Sequence, residues 1–206
     1  MPQRATNEML LAAGFAPVYS DVDLSDAAMG VVRDVIGLVL AGNDPNPTTV
    51  IDSRWNLVDA NAAAFWLCRG VDPALLAPPI NIARLSLHPD GLARFATNFD
   101  EFAAQLLWHM RHTLATTHDP LLAGLIDECE GYAPEAARRV PVTADVVLPI
   151  RLRFDDLEAP VGDVSFLSST TTFTAAHDVN LSELAIETLD PADDATRALL
   201  ASRPWE

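Results

Sequence analysis

The sequence predicts an α+β fold: an antiparallel sheet covered on one face by helices, with a further helix at the N-terminus. Two observations predict it. The β-prone runs fall into two groups, at 48–60 and 146–189, and a helix-rich stretch separates them. Runs joined by short turns within a group pair antiparallel, and a small sheet of that kind needs a helical layer to bury one face. The second observation is periodicity, since apolar residues recur at helical spacing in the middle of the chain and alternate with period two in the runs that flank it.

The elements follow in order. Residues 1–24 read as a short helical or extended leading segment. Ser25 and Asp26 offer N-cap oxygens to a helix over 25–41, whose apolar stripe is Ala28, Val31, Val32, Val35, Ile36 and Val39. Gly42 closes that helix and the NDPNP run at 43–47 breaks the chain. Runs 48–52 and 55–60 flank a turn at Asp52–Ser53–Arg54, and Asn61 caps an alanine-rich helix that carries Phe65, Trp66 and Leu67. Short helices then sit between proline breaks at Pro73, Pro78–Pro79 and Pro89.

Helix 99–116 gathers Phe99, Phe102, Ala103, Leu106, Leu107, Met110 and Leu114 on one face. Asp119 as cap and Pro120 at the first helical position open the next helix, which buries Leu122, Leu125, Ile126 and Cys129. Three strands follow, from the alternating run at 146–156, the β-branched run at 162–174 and the run at 180–189. Asp190–Pro191 is expected to start a last helix through Leu199 and Leu200. The chain divides into a linker and helix over 1–45 and a sheet-bearing domain over 46–206. A sheet roofed by helices leaves a space between its layers, where a small molecule would sit.

Composition narrows the function. The 206 residues hold 29 acidic and 13 basic side chains, all the basic ones arginine, for a formal charge of −16. Contact with the DNA backbone needs clustered Lys or Arg, so this chain by itself is not expected to bind nucleic acid. No run approaches the roughly 18 apolar residues of a membrane span. Nor does the amino end show a basic segment followed by an apolar one, so no secretory signal is read there. Cys68 and Cys129 stand in no CxxC frame, which fits a reducing cytoplasm, although two cysteines can also pair.

Several motifs together carry a resemblance. IDSRWNLVDANAAAFWL (51–67), which contains RWNLVDANAAA (54–64), resembles the opening of a PAS domain, in which a hairpin ends in an Asn that caps a short alanine-rich helix. With NEMLLAAGFAPVY (7–19), PPINIARLSLHPDGLA (78–93), VLPIRLR (147–153), SFLSSTTTF (165–173) and DVNLSELAIETLDPADDAT (178–196), the chain is similar to the MmyB-like ligand-binding domain of XRE-type helix-turn-helix regulators. The resemblance implies a cytoplasmic, PAS-like sensor that binds a fatty acid or similar amphipathic effector and modulates DNA binding. Members of that family carry a helix-turn-helix before the LLAAGFAPVY-like segment. Met1 stands only a few residues upstream of it here, so the DNA reader is expected to be absent from this chain or separate. A second copy of the chain is a candidate partner. The rival readings are a ligand-free PAS-like dimerisation module and an enzyme of lipid or acyl substrates.

Candidate ligand contacts come from several places. Arg151 and Arg153 share one face of a strand whose other face is apolar; they either fork a carboxylate or stand in water beside surface acids. Phe65, Trp66, Phe166 and Phe173 either line an apolar pocket or fill a core. Arg84 either anchors a headgroup or pairs with Asp90 or another acid. His109, His112 and His118 offer no HExxH frame, and a solvated helix face explains the first two, so no metal is expected. No GxSxG elbow or glycine-rich phosphate loop occurs, and no other cofactor or catalytic group is expected.

Overall fold

A computed structural model describes residues 3–19, 30–139, 149–154, 162–172 and 179–205. The expected caps Ser25 and Asp26, and Phe173, lie outside the described residues. Helices α1 (Gln3–Ala12) and α2 (Gly30–Asn43) lead into the hairpin β1 (Thr48–Ile51) and β2 (Leu57–Ala60). Then come α3 (Ala62–Leu67), α4 (Ile82–Leu87), α5 (Phe99–Thr117) and α6 (Pro120–Tyr132), and after them β3 (Ile150–Arg153) and β4 (Asp163–Thr172). The short α7 (Val179–Ser182), strand β5 (Ala185–Pro191) and α8 (Asp194–Ala201) complete the order.

The strands form one antiparallel sheet in the order β2-β1-β5-β4-β3, in keeping with the α+β fold expected from the sequence. Alternation along β5 sorts its side chains between two layers. Ile186 joins Val50 of β1 on one face, and Ile36 and Leu40 of α2 pack against them. Opposite the α3–α6 layer, α2 covers only the part of the sheet around Val50 and Ile186, and Leu167, Ser169 and Thr171 of β4 stay exposed on that face. That second layer has its own core, in which Leu87, Leu107, Met110, Leu122, Ile126 and Cys129 interlock α4, α5 and α6. Where the layer meets β3 and β4, Leu67, Leu85, Phe95, Leu152, Phe154, Val164 and Phe166 form a third apolar cluster. Both cysteines are free. Among the described residues no helix is long and apolar enough to cross a membrane.

Two Asn side chains pin the layers together. The Asn61 side-chain oxygen accepts from Ala64 N at 3.1 Å, capping α3 as expected, and also from Thr48 N at 3.0 Å at the start of β1. Its amide donates to Asn46 O at 2.8 Å. Asn81 caps α4 by accepting from Arg84 N at 3.1 Å, while its amide donates to Arg54 O at 2.9 Å in the hairpin turn. The loop after α4 has room only for glycine at position 91, where a Cβ would stand 2.1 Å from Leu85 O.

The C-terminal end corrects two expectations. The run at 180–189 opens in α7, and its strand begins only at Ala185. Asp190–Pro191 does not start the last helix but finishes β5, because Pro191 and Asp190 stand opposite Phe166 and Leu167 in the β4 register. The cap of α8 is Asp193, whose carboxylate accepts from Thr196 N at 2.7 Å.

Asn61→Ala removes a helix cap and leaves the Thr48 N–H at the start of β1 unmatched. Adding these, the variant is expected to lose about 2–3 kcal/mol of unfolding free energy in a urea titration.

Candidate functional site

The helical layer and the sheet part above the middle of β4 and β5, leaving a cavity of about 580 Å³. Its floor is made by alternate residues of the two strands: Ala185 and Glu187 of β5, with Ser168, Thr170 and Thr172 of β4. Thr170 is the register partner of Glu187 and Thr172 that of Ala185, so these side chains share one face. The roof is α5, which contributes Phe102, Gln105, Leu106, His109 and Thr113. Successive steps of three or four residues bring these to one side of the helix. At the rim stand Asp52, Ser53 and Trp55 from the hairpin turn, together with Gln3 and Glu183.

A smaller pocket of about 90 Å³ adjoins it and shares Trp55, Phe102, Leu106, Ile150 and Glu187. Its remaining wall is mostly apolar, with Pro47, Ala64, Leu67, Leu85, Leu92, Leu152 and Leu189 beside Cys68. Burial pushes the Cys68 thiol up to about 11, so it is no nucleophile at neutral pH. The larger space carries more of the polar groups, and the smaller one is almost wholly apolar.

The turn that presents Trp55 is strained and well held. Trp55 has φ of 65°, a left-handed conformation that costs a bulky side chain roughly 1–2 kcal/mol. Asp52 compensates by accepting from Arg54 N at 2.8 Å and Asn56 N at 2.9 Å. Ile82 N donates to Trp55 O at 2.8 Å, so the start of α4 grips the same residue.

Glu187 is the chemically distinctive group. The Ser168 hydroxyl donates to its Oε1 at 2.8 Å, yet loss of water around the carboxyl still raises its pKa above the usual value of 4.5. His109 shifts in the direction of neutrality, chiefly because its imidazole is partly stripped of water and secondarily because His112 lies near. Among the described residues no arginine lines either pocket, and the chain has no lysine. Nor do three His, Cys, Asp or Glu side chains gather there or elsewhere among them to hold a metal ion.

The described residues singled out from sequence lie elsewhere. Arg151 and Arg153 do oppose an apolar face, but Ile150 and Leu152 are the ones turned to the cavities, so the arginines point away from them. Arg153 pairs with its strand partner Asp163 at 2.6 Å. Arg84 meets Glu128 of α6 in a two-pronged contact of 2.6 and 2.7 Å, not Asp90. That contact holds the Glu128 carboxyl down at about 2. Phe166 is fully buried in the cluster beneath β3 and β4, and Phe65 is exposed. Trp66 packs on Trp205, and the Arg69 guanidinium lies 3.7 Å over its ring and 4.0 Å over that of Phe154. His109 and His112, read from sequence as a solvated helix face, are indeed exposed, and His109, with Gln105 and Thr113 beside it, also lines the open cavity. Its signal was present as polar residues at steps of four beside the apolar stripe. Nothing local said that a sheet lay opposite.

Glu187 generates a stability prediction. A carboxyl whose pKa is raised by folding costs stability above its folded pKa and stops costing it below the unfolded one. Glu187→Gln keeps an acceptor for Ser168. It is therefore expected to melt above the parent at neutral pH, with the gap shrinking as pH falls through the raised folded value and closed below the ordinary 4.5. Parallel thermal melts across that range check both parts.

No curated protein matches the chain. The model of the MmyB-like transcription regulator ligand binding domain matches residues 32–202, a span that takes in every described strand, the α5 roof, all of α8 and most of α2. The chain, with its ligand-sized chamber between sheet and helices, belongs to the MmyB-like ligand-binding domains of transcription regulators.

Proposed function

We propose that this chain is an effector-sensing domain whose chamber takes a small amphipathic molecule of fatty-acid size, and whose occupancy modulates DNA binding by a helix-turn-helix domain. The observation that carries this reading is the chamber itself. Its volume of about 580 Å³ lies within the range of small-molecule sites, and its inner extension is apolar. A ligand-free dimerisation module would have no use for such a space. A fatty acid, the class implied by the resemblance, is the first ligand to seek.

A sensor must bind its effector better in one arrangement than in another. The rim supplies a route for that difference. Gln3 of α1 lines the chamber, and the neighbouring Arg4 clasps Glu183, another rim residue, through contacts of 2.9 and 3.1 Å. A guest that displaces Glu183 therefore shifts α1. On the far face α2 rests on Val50 and Ile186, whose strands also form the chamber floor. Both N-terminal helices thus feel the sheet and rim, and we assign them the signal.

Denaturing the purified protein and identifying what it releases by mass spectrometry is expected to yield an amphipathic molecule in near-equal molar amount. An empty protein that also binds no amphiphile in titration overturns the reading. Ligand addition is expected to change hydrogen exchange in α1, and Arg4→Ala to weaken that response. An unchanged α1 in the liganded parent removes the proposed route.

A further inference from the structure

A second cleft, of about 540 Å³, opens beside the chamber and shares Asp52, Ser53, Thr117, Glu183 and Leu184 with it. It holds two arginines, Arg4 of α1 and Arg54 of the hairpin turn. Each is paired with an acid, but the acids around the cleft are held very differently. Asp119 accepts from Arg54 Nε at 2.6 Å and also caps α6 by accepting from Leu121 N at 2.8 Å. Asp52 is likewise fixed by backbone N–H groups of its own turn. Glu183 stands in the short connection between α7 and β5. Among the described residues Arg4 alone bonds its side chain, at 2.9 and 3.1 Å. The two side chains are 40% and 23% exposed, and an ion pair open to water costs little to part.

We infer that Glu183 is an internal stand-in for the effector's carboxylate: the acid head of the guest displaces it from Arg4, and the apolar chain runs inward to the smaller pocket. The inference rests on reading the chamber as the effector site. Among the described residues no arginine lines the chamber itself, so an acid head left inside would stay unmatched. Glu183 lines both spaces, and Arg4 is the cation a guest meets by following it outward. A guanidinium offers a carboxylate two parallel N–H groups, and Glu183 already shows that fork on Arg4. Exchanging one carboxylate for another keeps the pairing, so burial of the chain is retained as binding energy. Glu183 then turns to water. Arg4 precedes residues 32–202, so this anchor lies outside the span that the family model matches. The same exchange passes the signal, since α1 gives up a contact with the α7–β5 connection for one with the guest.

The test is calorimetric titration of the chain at neutral pH with decanoate and 1-decanol, which share a chain length and differ in charge, each below its solubility limit. Arg4→Gln is expected to weaken decanoate at least about ten-fold, the worth of one charge-assisted contact, and to leave decanol unchanged. Glu183→Gln removes the internal competitor and is expected to tighten decanoate about three- to five-fold, again without effect on decanol. Should Arg4→Gln not fold, Glu183→Gln decides alone. Thr113→Trp, which places a large side chain in the roof, is expected to abolish binding of both probes. Decanoate affinity that is unchanged in Arg4→Gln, or not raised in Glu183→Gln, overturns the inference. So does an equal loss of decanol in Arg4→Gln, which marks a structural role for the arginine. In these cases Thr113→Trp still blocks both probes and the sensor reading stands. If neither probe binds the parent, or Thr113→Trp changes nothing, both fall.

Discussion

Strand β5 is paired along both edges, with β1 on one side and β4 on the other, and every other residue must therefore face one of two layers. One set, with Ile186, completes a dry contact with α2. The other set puts Ala185, Glu187 and Leu189 beneath the helical roof. A carboxyl in that layer cannot be packed over by apolar side chains without a large desolvation cost. The opposing helix answers with Gln105, His109 and Thr113 instead of a continuous apolar face. The chamber is the space these two polar strips keep open, while the apolar clusters at either side hold the layers apart at fixed distance.

Short polar side chains do much of the positioning. Asn61 and Asn81 each cap a helix and reach back to the hairpin, so the two helices are tied to it by side-chain hydrogen bonds. Asp52 holds the turn that keeps Trp55 in a costly backbone conformation. Strain of this kind persists only where surrounding contacts over-determine it, and here it sets the wall of the site. The rim of the cavity is tied to α1 by the Arg4–Glu183 contact.

The local rules were legible in the sequence, residue by residue. Asn61 as a cap, Asp119 followed by Pro120, the hairpin at 48–60 and the apolar stripe of α5 all depend on neighbours within a few positions, and each stands where the pattern put it. The antiparallel sheet followed from the grouping of the strands. Less legible were boundaries settled by partners distant in the chain. The extension of β5 through Pro191 depends on pairing with β4, and it displaces the cap of α8 to Asp193.

What the sequence by itself determined was the α+β class, most of the elements and the family, because these rest on periodicity, capping and motif order. Which residues face the chamber was decided only in three dimensions. Arg151 and Arg153 looked like ligand contacts for their charge, yet strand parity turns them outward and gives the cavities Ile150 and Leu152. Arg84 was claimed by Glu128, a residue of another helix. Glu187 looked like an ordinary acid on a strand, and only the meeting of sheet and α5 places it at the floor of a cavity. A site between layers has no local signature, since its walls come from segments far apart in the chain.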